Sequence, residues 1–135
     1  MKYGLTRLLG ASMLVAAVSA LPAAAAGNVA TEIHTAALHA GFSAKSSTIK
    51  MVHAHMHHAL NCLVGPKGMG FDSSALDPCK NQGNGAIVDA TSAATKQKLE
   101  KVAQMLRMGL TDNTLATAKA TAAKAEAELS GMSKK

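Results

Sequence analysis

His53, His55, His57 and His58 place four imidazoles within six residues, in the stretch Met51-Val52-His53-Ala54-His55-Met56-His57-His58-Ala59-Leu60-Asn61-Cys62. Imidazole nitrogens bind zinc, copper, nickel and iron, and a thioether such as Met51 adds a preference for reduced copper. Nothing in the stretch breaks a helix, and its apolar residues repeat at helical spacing. Ile49, Val52, Met56, Ala59 or Leu60, and Leu63 then form one stripe that enters a core. His53 and His57 stand one turn apart along one edge of that stripe. Met51, His55, His58 and Cys62 step along the other flank at intervals of four, three and four.

Two histidines at i, i+4 can reach one metal from a single helix face. The hydrolytic zinc signature also needs a glutamate after the first histidine, and here Ala54 follows His53. A binding site is therefore the expectation, not a hydrolase. Because His53/His57 borders the packed face, that pair is expected to dominate, helped by His34 or Met69 from another element. His55/His58 forms a second pair pointing well away from it. The competing reading leaves all four on a wet basic surface, as incidental groups or pH sensors near their ordinary pKa of about 6.5.

What must position these residues begins after Ala26. Lys2 and Arg7, the apolar run Leu8 to Leu21 and the small residues Ala24-Ala25-Ala26 have the layout of a secretion signal. The run is too short for a comfortable membrane span. The expectation is a signal peptide over 1–26, export to a bacterial periplasm, and one domain over 27–135 with no membrane span after cleavage. The chain carries a net +6, two units of it from Lys2 and Arg7. The surplus is scattered and has few aromatic neighbours, which argues against nucleic acid.

Only Phe42 and Phe71 supply phenyl rings, so the core has to be built from Ala, Leu, Ile, Val and Met. A small domain with a thin core benefits from a covalent staple. In an oxidising compartment Cys62 and Cys79 are expected to form a disulfide. The alternative makes Cys62 a thiolate ligand in the Met51/His55/His58 ladder.

The expected fold is all-α, a small four-helix bundle with a long disulfide-tied loop between helices 2 and 3. Helix 1 covers Asn28 to Ala40, with Val29, Ile33, Ala36, Ala37 and Ala40 as its apolar face and His39 on the far side, and a turn falls near 41–46. Helix 2, capped by Ser46 or Ser47, runs to 63, with one bent helix over 28–63 as the alternative. Gly65-Pro66 ends helix 2, and Met69 and Phe71 tuck the following loop inward. Helix 3 starts at an Asp89 or Thr91 cap and runs to Met108, with Thr95, Leu99, Val102 and Leu106 facing inward. Gly109 and Leu110 are read as a Schellman stop. Asp112 caps helix 4, whose inner face is Leu115, Ala118, Ala122, Ala125 and Leu129. Met105 and Met108 are read as core filler rather than soft ligands.

Other chemistries are disfavoured. There is no Cys-x-x-Cys-His for covalent haem, and the glutamates Glu32, Glu100, Glu126 and Glu128 do not match a di-iron bundle. The glycine-rich segments 65–70 and 81–85 do not follow strands, which excludes a phosphate loop. No catalytic pair can be nominated, so an enzyme is not expected. With its signal, its Ala/His helices and the His53–His58 cluster, the chain resembles the small, His-rich, helical metal-binding proteins of bacterial periplasms. That resemblance implies buffering or delivery of a transition metal, copper first, with zinc or nickel as alternatives, and another periplasmic protein as a partner. Non-covalent b-type haem held by His or His/Met, or a structural helical protein without metal, are the competing readings.

Overall fold

The computed structural model describes residues 27–133; the signal-peptide reading concerns 1–26 and lies outside them. Five helices follow in order: α1 (Val29–Lys45), α2 (Ile49–Val64), α3 (Ala86–Asp89), α4 (Ala93–Gly109) and α5 (Leu115–Ser133). The described residues contain no strand, and none of their helices is long and apolar enough to cross a membrane. The all-α expectation holds. The fifth element, α3, is a single turn at the end of what the sequence suggested was loop.

Local chemistry sets the helix ends. Asn28 caps α1 by accepting from the Thr31 amide at 3.0 Å. The turn expected at 41–46 is helix instead, because Ser43 is buried and its hydroxyl donates to the Val52 carbonyl at 2.8 Å. That bond to a second helix offsets the weak propensity of Gly41 and Ser43. The chain turns only at 46–48, and the α2 cap is Thr48 rather than Ser46 or Ser47. Gly65 ends α2 at φ 66°, a conformation that favours glycine.

Further local expectations are corrected. Ser92, not Asp89 or Thr91, caps α4, and Thr114, not Asp112, accepts from the Thr117 amide at the start of α5. Gly109 is no Schellman glycine: it is the last helical residue, and Leu110 after it is right-handed. Its lack of a side chain serves packing, since a Cβ there would lie 2.8 Å from both Met56 Cε and Thr121 Cγ2. Met108 and Met69 are exposed rather than tucked in, while Met105 and Phe71 are partly buried against the core.

The core follows the anticipated stripes except at Leu115, which was expected on the inner face but is 37% exposed as the first residue of α5, and at Thr95, which is only partly buried in the first turn of α4. Val52, Met56, Ala59, Leu60 and Leu63 from α2 meet Leu99, Val102 and Leu106 from α4, and Ala118, Ala122, Ala125 and Leu129 from α5, all buried. Helix α1 packs against both α2 and α5 and adds Ile33, Ala36, Ala37 and Ala40. No aromatic ring is fully buried among the described residues.

The segment between α2 and α3 is held at two adjacent positions of α2. Cys62 is bonded to Cys79, with Cα atoms 5.1 Å apart. Asn61, buried one residue earlier, accepts from the Asp72 amide at 2.9 Å and donates to the carbonyls of Asp72 at 2.9 Å and Leu76 at 3.2 Å. Buried polar groups need such partners, and here one carboxamide supplies a framework for the backbone of 72–76.

Two outcomes are expected. Replacing both cysteines with serine should destabilise the domain by about 3 kcal/mol, the loop-entropy value for a ring of this size, read as a lower midpoint in denaturant. Asn61→Ala should cost about 1–3 kcal/mol by stranding the Asp72 amide. Its hydrogen exchange should accelerate first at residues 72–76; an unchanged exchange pattern there would mean the loop is held by something else.

Candidate metal centre

The α1–α2 seam carries a group the linear pattern did not join. His39 on α1 faces His55 and His58 on α2. One nitrogen from each ring lies within 4.8 Å of one from each of the others, close enough to share an ion. Among the described residues this is the group of three His, Cys, Asp or Glu side chains with that property. The ring centroids are 5.1 Å apart for His39 and His58, 5.3 Å for His55 and His58, and 5.7 Å for His39 and His55. All three side chains are partly buried, and each has an Nδ1 with neither solvent contact nor a hydrogen-bond partner.

Packing explains the convergence. His55 and His58 are three residues apart and share a flank of α2. The contact Ser43 to Val52 draws α1 against that flank, and His39 lies one turn before Ser43 on the same helix. Phe42 closes the side of the cluster: its ring is 5.5 Å from that of His39 and 5.6 Å from that of His55, both edge-on, although 49% of the residue stays exposed.

Electrostatics favour neutral rings. Burial, with smaller contributions from His58 and His55, pushes the His39 imidazole down to about 4. His58 is lowered by burial, then by His55 and His57. Three imidazoles in a partly dry cleft cannot all carry a proton without mutual repulsion. A neutral imidazole is also the form that ligates a metal.

The remaining candidates lie elsewhere. His53 is partly buried with an unpartnered Nε2. His57 has its Nδ1 3.6 Å from Asp72 Oδ2, longer than a hydrogen bond but within reach of an ion pair when the ring is protonated. Asp72 is held below the usual carboxylate range chiefly by the Ser74 hydroxyl and amide, with His57 a lesser influence. His34 is exposed beside Leu38, Phe42 and Glu126. Met51 is half exposed, and Met69 is 75% exposed on the far loop. His34 does not join His53 and His57 in a three-ligand group of the kind anticipated. Cys62, taken up in the disulfide, is no thiolate ligand.

Spacing alone overlooked His39, assigned to the solvent side of a helix ending at Ala40. The available signal was the length of α1. Continued to Lys45, its buried face widens to include Ser43, and His39 falls at the border of two packed surfaces.

Comparison of the chain with protein-family models, with curated proteins and with solved structures finds no match.

The depressed His39 and His58 pKa values fix a pH dependence. Below pH 6.5 the unfolded chain protonates these rings while the folded chain resists, so protons favour unfolding. The stability present above pH 6.5 should fall as pH drops toward about 4, the folded value of His39. Urea midpoints at pH 7 and pH 4.5 test this. His39→Gln should flatten the difference, and an equal slope in that variant would remove His39 from the account.

Proposed function

We propose that the chain is an exported metal-binding protein that holds a late transition metal ion at His39, His55 and His58. The observation that carries this reading is the convergence of three imidazoles from two helices, each with a nitrogen within 4.8 Å of the others'. Three neutral nitrogen donors suit zinc and copper, and leave one coordination position for water, a further protein group or a delivered ligand. Met51, on the same flank of α2 as His55 and His58, adds a soft sulfur nearby and makes copper the first candidate.

The scaffold is read as a four-helix bundle, with α1 and α4 each lying against α2 and α5 and the connection between α2 and α3 tied by the disulfide. The disulfide supports an oxidising compartment. With the leader-like segment 1–26, it favours the periplasm as the place of work. Buffering or delivery to another periplasmic protein fits a partly exposed ion better than catalysis does, because no carboxylate or hydroxyl stands in the cluster to act as base or nucleophile. This assignment agrees with the resemblance to small His-rich periplasmic proteins. It differs from the spacing argument in resting on His55/His58 rather than His53/His57.

Calorimetry with Cu(II) and Zn(II) at pH 7.5 separates the possibilities. His39→Ala and the double variant His55→Ala/His58→Ala should each lose at least tenfold in affinity, about 1.4 kcal/mol. His53→Ala/His57→Ala should stay within about threefold. Binding should weaken steeply below pH 6, since each ligand must give up its proton first. A parent protein that binds neither ion would remove the proposal. So would a Soret band in protein purified from its own cell, which would point to haem.

A further inference from the structure

At the opposite end of α1 from the histidines, Glu32 is completely buried yet charged by type. Its Oε1 accepts from the Gly85 amide at 2.9 Å, and its Oε2 has no partner among the described residues. A lone buried carboxylate oxygen is costly unless something cationic or a proton donor meets it. The Asp89 carboxylate lies close by, accepting from the Asn84 amide at 2.6 Å and from its side-chain amide at 3.0 Å.

Gly83 locates the meeting point. A Cβ added there would clash with Asp89 Oδ2, would lie 2.6 Å from Glu32 Oε1 and would lie 2.8 Å from the Cα of Gly27. Gly27 in turn is so close to the Asp89 carboxylate that it could carry no side chain. The Asn28 amide donates to the Gln82 carbonyl at 2.9 Å, fixing the residue after Gly27 against this loop. Gly27 thus sits against the Asp89 carboxylate, and Gly83 beside it lies against both that carboxylate and Oε1 of the buried Glu32. Gly27 is also the residue that follows the leader-like Ala24-Ala25-Ala26.

We propose that this socket binds the α-ammonium group of the processed chain, with Gly27 as the mature amino terminus and Asp89 and Glu32 as its counter-ions. Hydrolysis of the Ala26–Gly27 peptide bond by a leader peptidase consumes one water. It leaves a carboxylate on Ala26 and an amine on Gly27, which takes up a proton at neutral pH. A cation at a helix N-terminus is disfavoured by the helix dipole, and the two carboxylates offset that cost. Removal of the leader therefore completes a latch between α1 and the 82–89 segment, and the disulfide at Cys79 holds the same segment from its other side. The absence of a Cβ at Gly27 and Gly83 is what lets the charges approach. This inference rests on the export reading above and is independent of the histidine cluster.

The test compares three chains: one beginning at Gly27, the same chain acetylated on its α-amine, and one retaining Ala25-Ala26 ahead of Gly27. The free chain should melt about 5 °C above the other two. Its α-amine, followed by pH-dependent reductive methylation, should titrate above the ordinary range of about 7.7–8.0. Asp89→Asn should narrow the melting difference and return the amine toward that range; this variant serves if Glu32→Gln does not fold. Equal melting of all three chains with an ordinary α-amine would overturn the latch. If millimolar calcium stabilised the extended chain as much as a free terminus does, the socket would be a metal site instead. The intact mass of the exported protein separates the two readings. A start other than Gly27 overturns both processing and latch, whereas a start at Gly27 with an ordinary amine overturns the latch alone.

Discussion

Ser43 giving its hydroxyl to the Val52 carbonyl, inside the seam between α1 and α2, is the contact on which the rest of the molecule turns. It keeps α1 helical beyond Gly41 and binds the last turns of α1 to the first turns of α2. With the register between the two helices set there, His39 on one meets His55 and His58 on the other. It also extends α1 far enough to bring Phe42 over the cluster. A helix that stopped at Ala40 would leave His39 at a frayed end.

Small side chains make that seam possible. Ala36, Ala37 and Ala40 on α1 are all buried, and the helix packs against two neighbours at once. Close approach of backbones gains many weak contacts but buries little area per residue. A core whose largest fully buried side chains are Met and Leu has little reserve. The polar and covalent ties on the adjacent residues Asn61 and Cys62 address that shortfall. Both act on the connection to α3, which would otherwise be a long stretch of irregular chain.

The two ends of α1 carry different chemistry for the same reason. At each end a polar group is drawn partly out of water by packing around it: imidazoles at one, the Glu32 carboxylate at the other. Burial pushes His39 and His58 toward their neutral forms and raises the Glu32 carboxyl, where desolvation outweighs the Gly85 hydrogen bond. Lowered histidines are ready to receive a cation through nitrogen lone pairs. A raised carboxyl gains from a cation beside it. Both shifts have burial as their largest cause.

What the sequence by itself determined is the part governed by local periodicity and by the presence of just two cysteines. The inner stripes of α2, α4 and α5, the Gly65 terminus and the Cys62–Cys79 pair were legible because each depends on spacing, backbone conformation or thiol chemistry that neighbours do not alter. The density of imidazoles over His53–His58 was also visible, although spacing favoured His53/His57 over His55/His58. What only the tertiary structure decided is whatever depends on two elements at once. Asn61 acquires its role only where the loop folds over it and its carboxamide meets the backbone of Asp72 and Leu76. Gly109 read as a helix stop until Met56 and Thr121 were seen to need its space. His39 belonged to the solvent until the α1–α2 register turned it to the seam. Helical spacing ranks ligand pairs within one helix, but the third ligand is fixed by the packing of another.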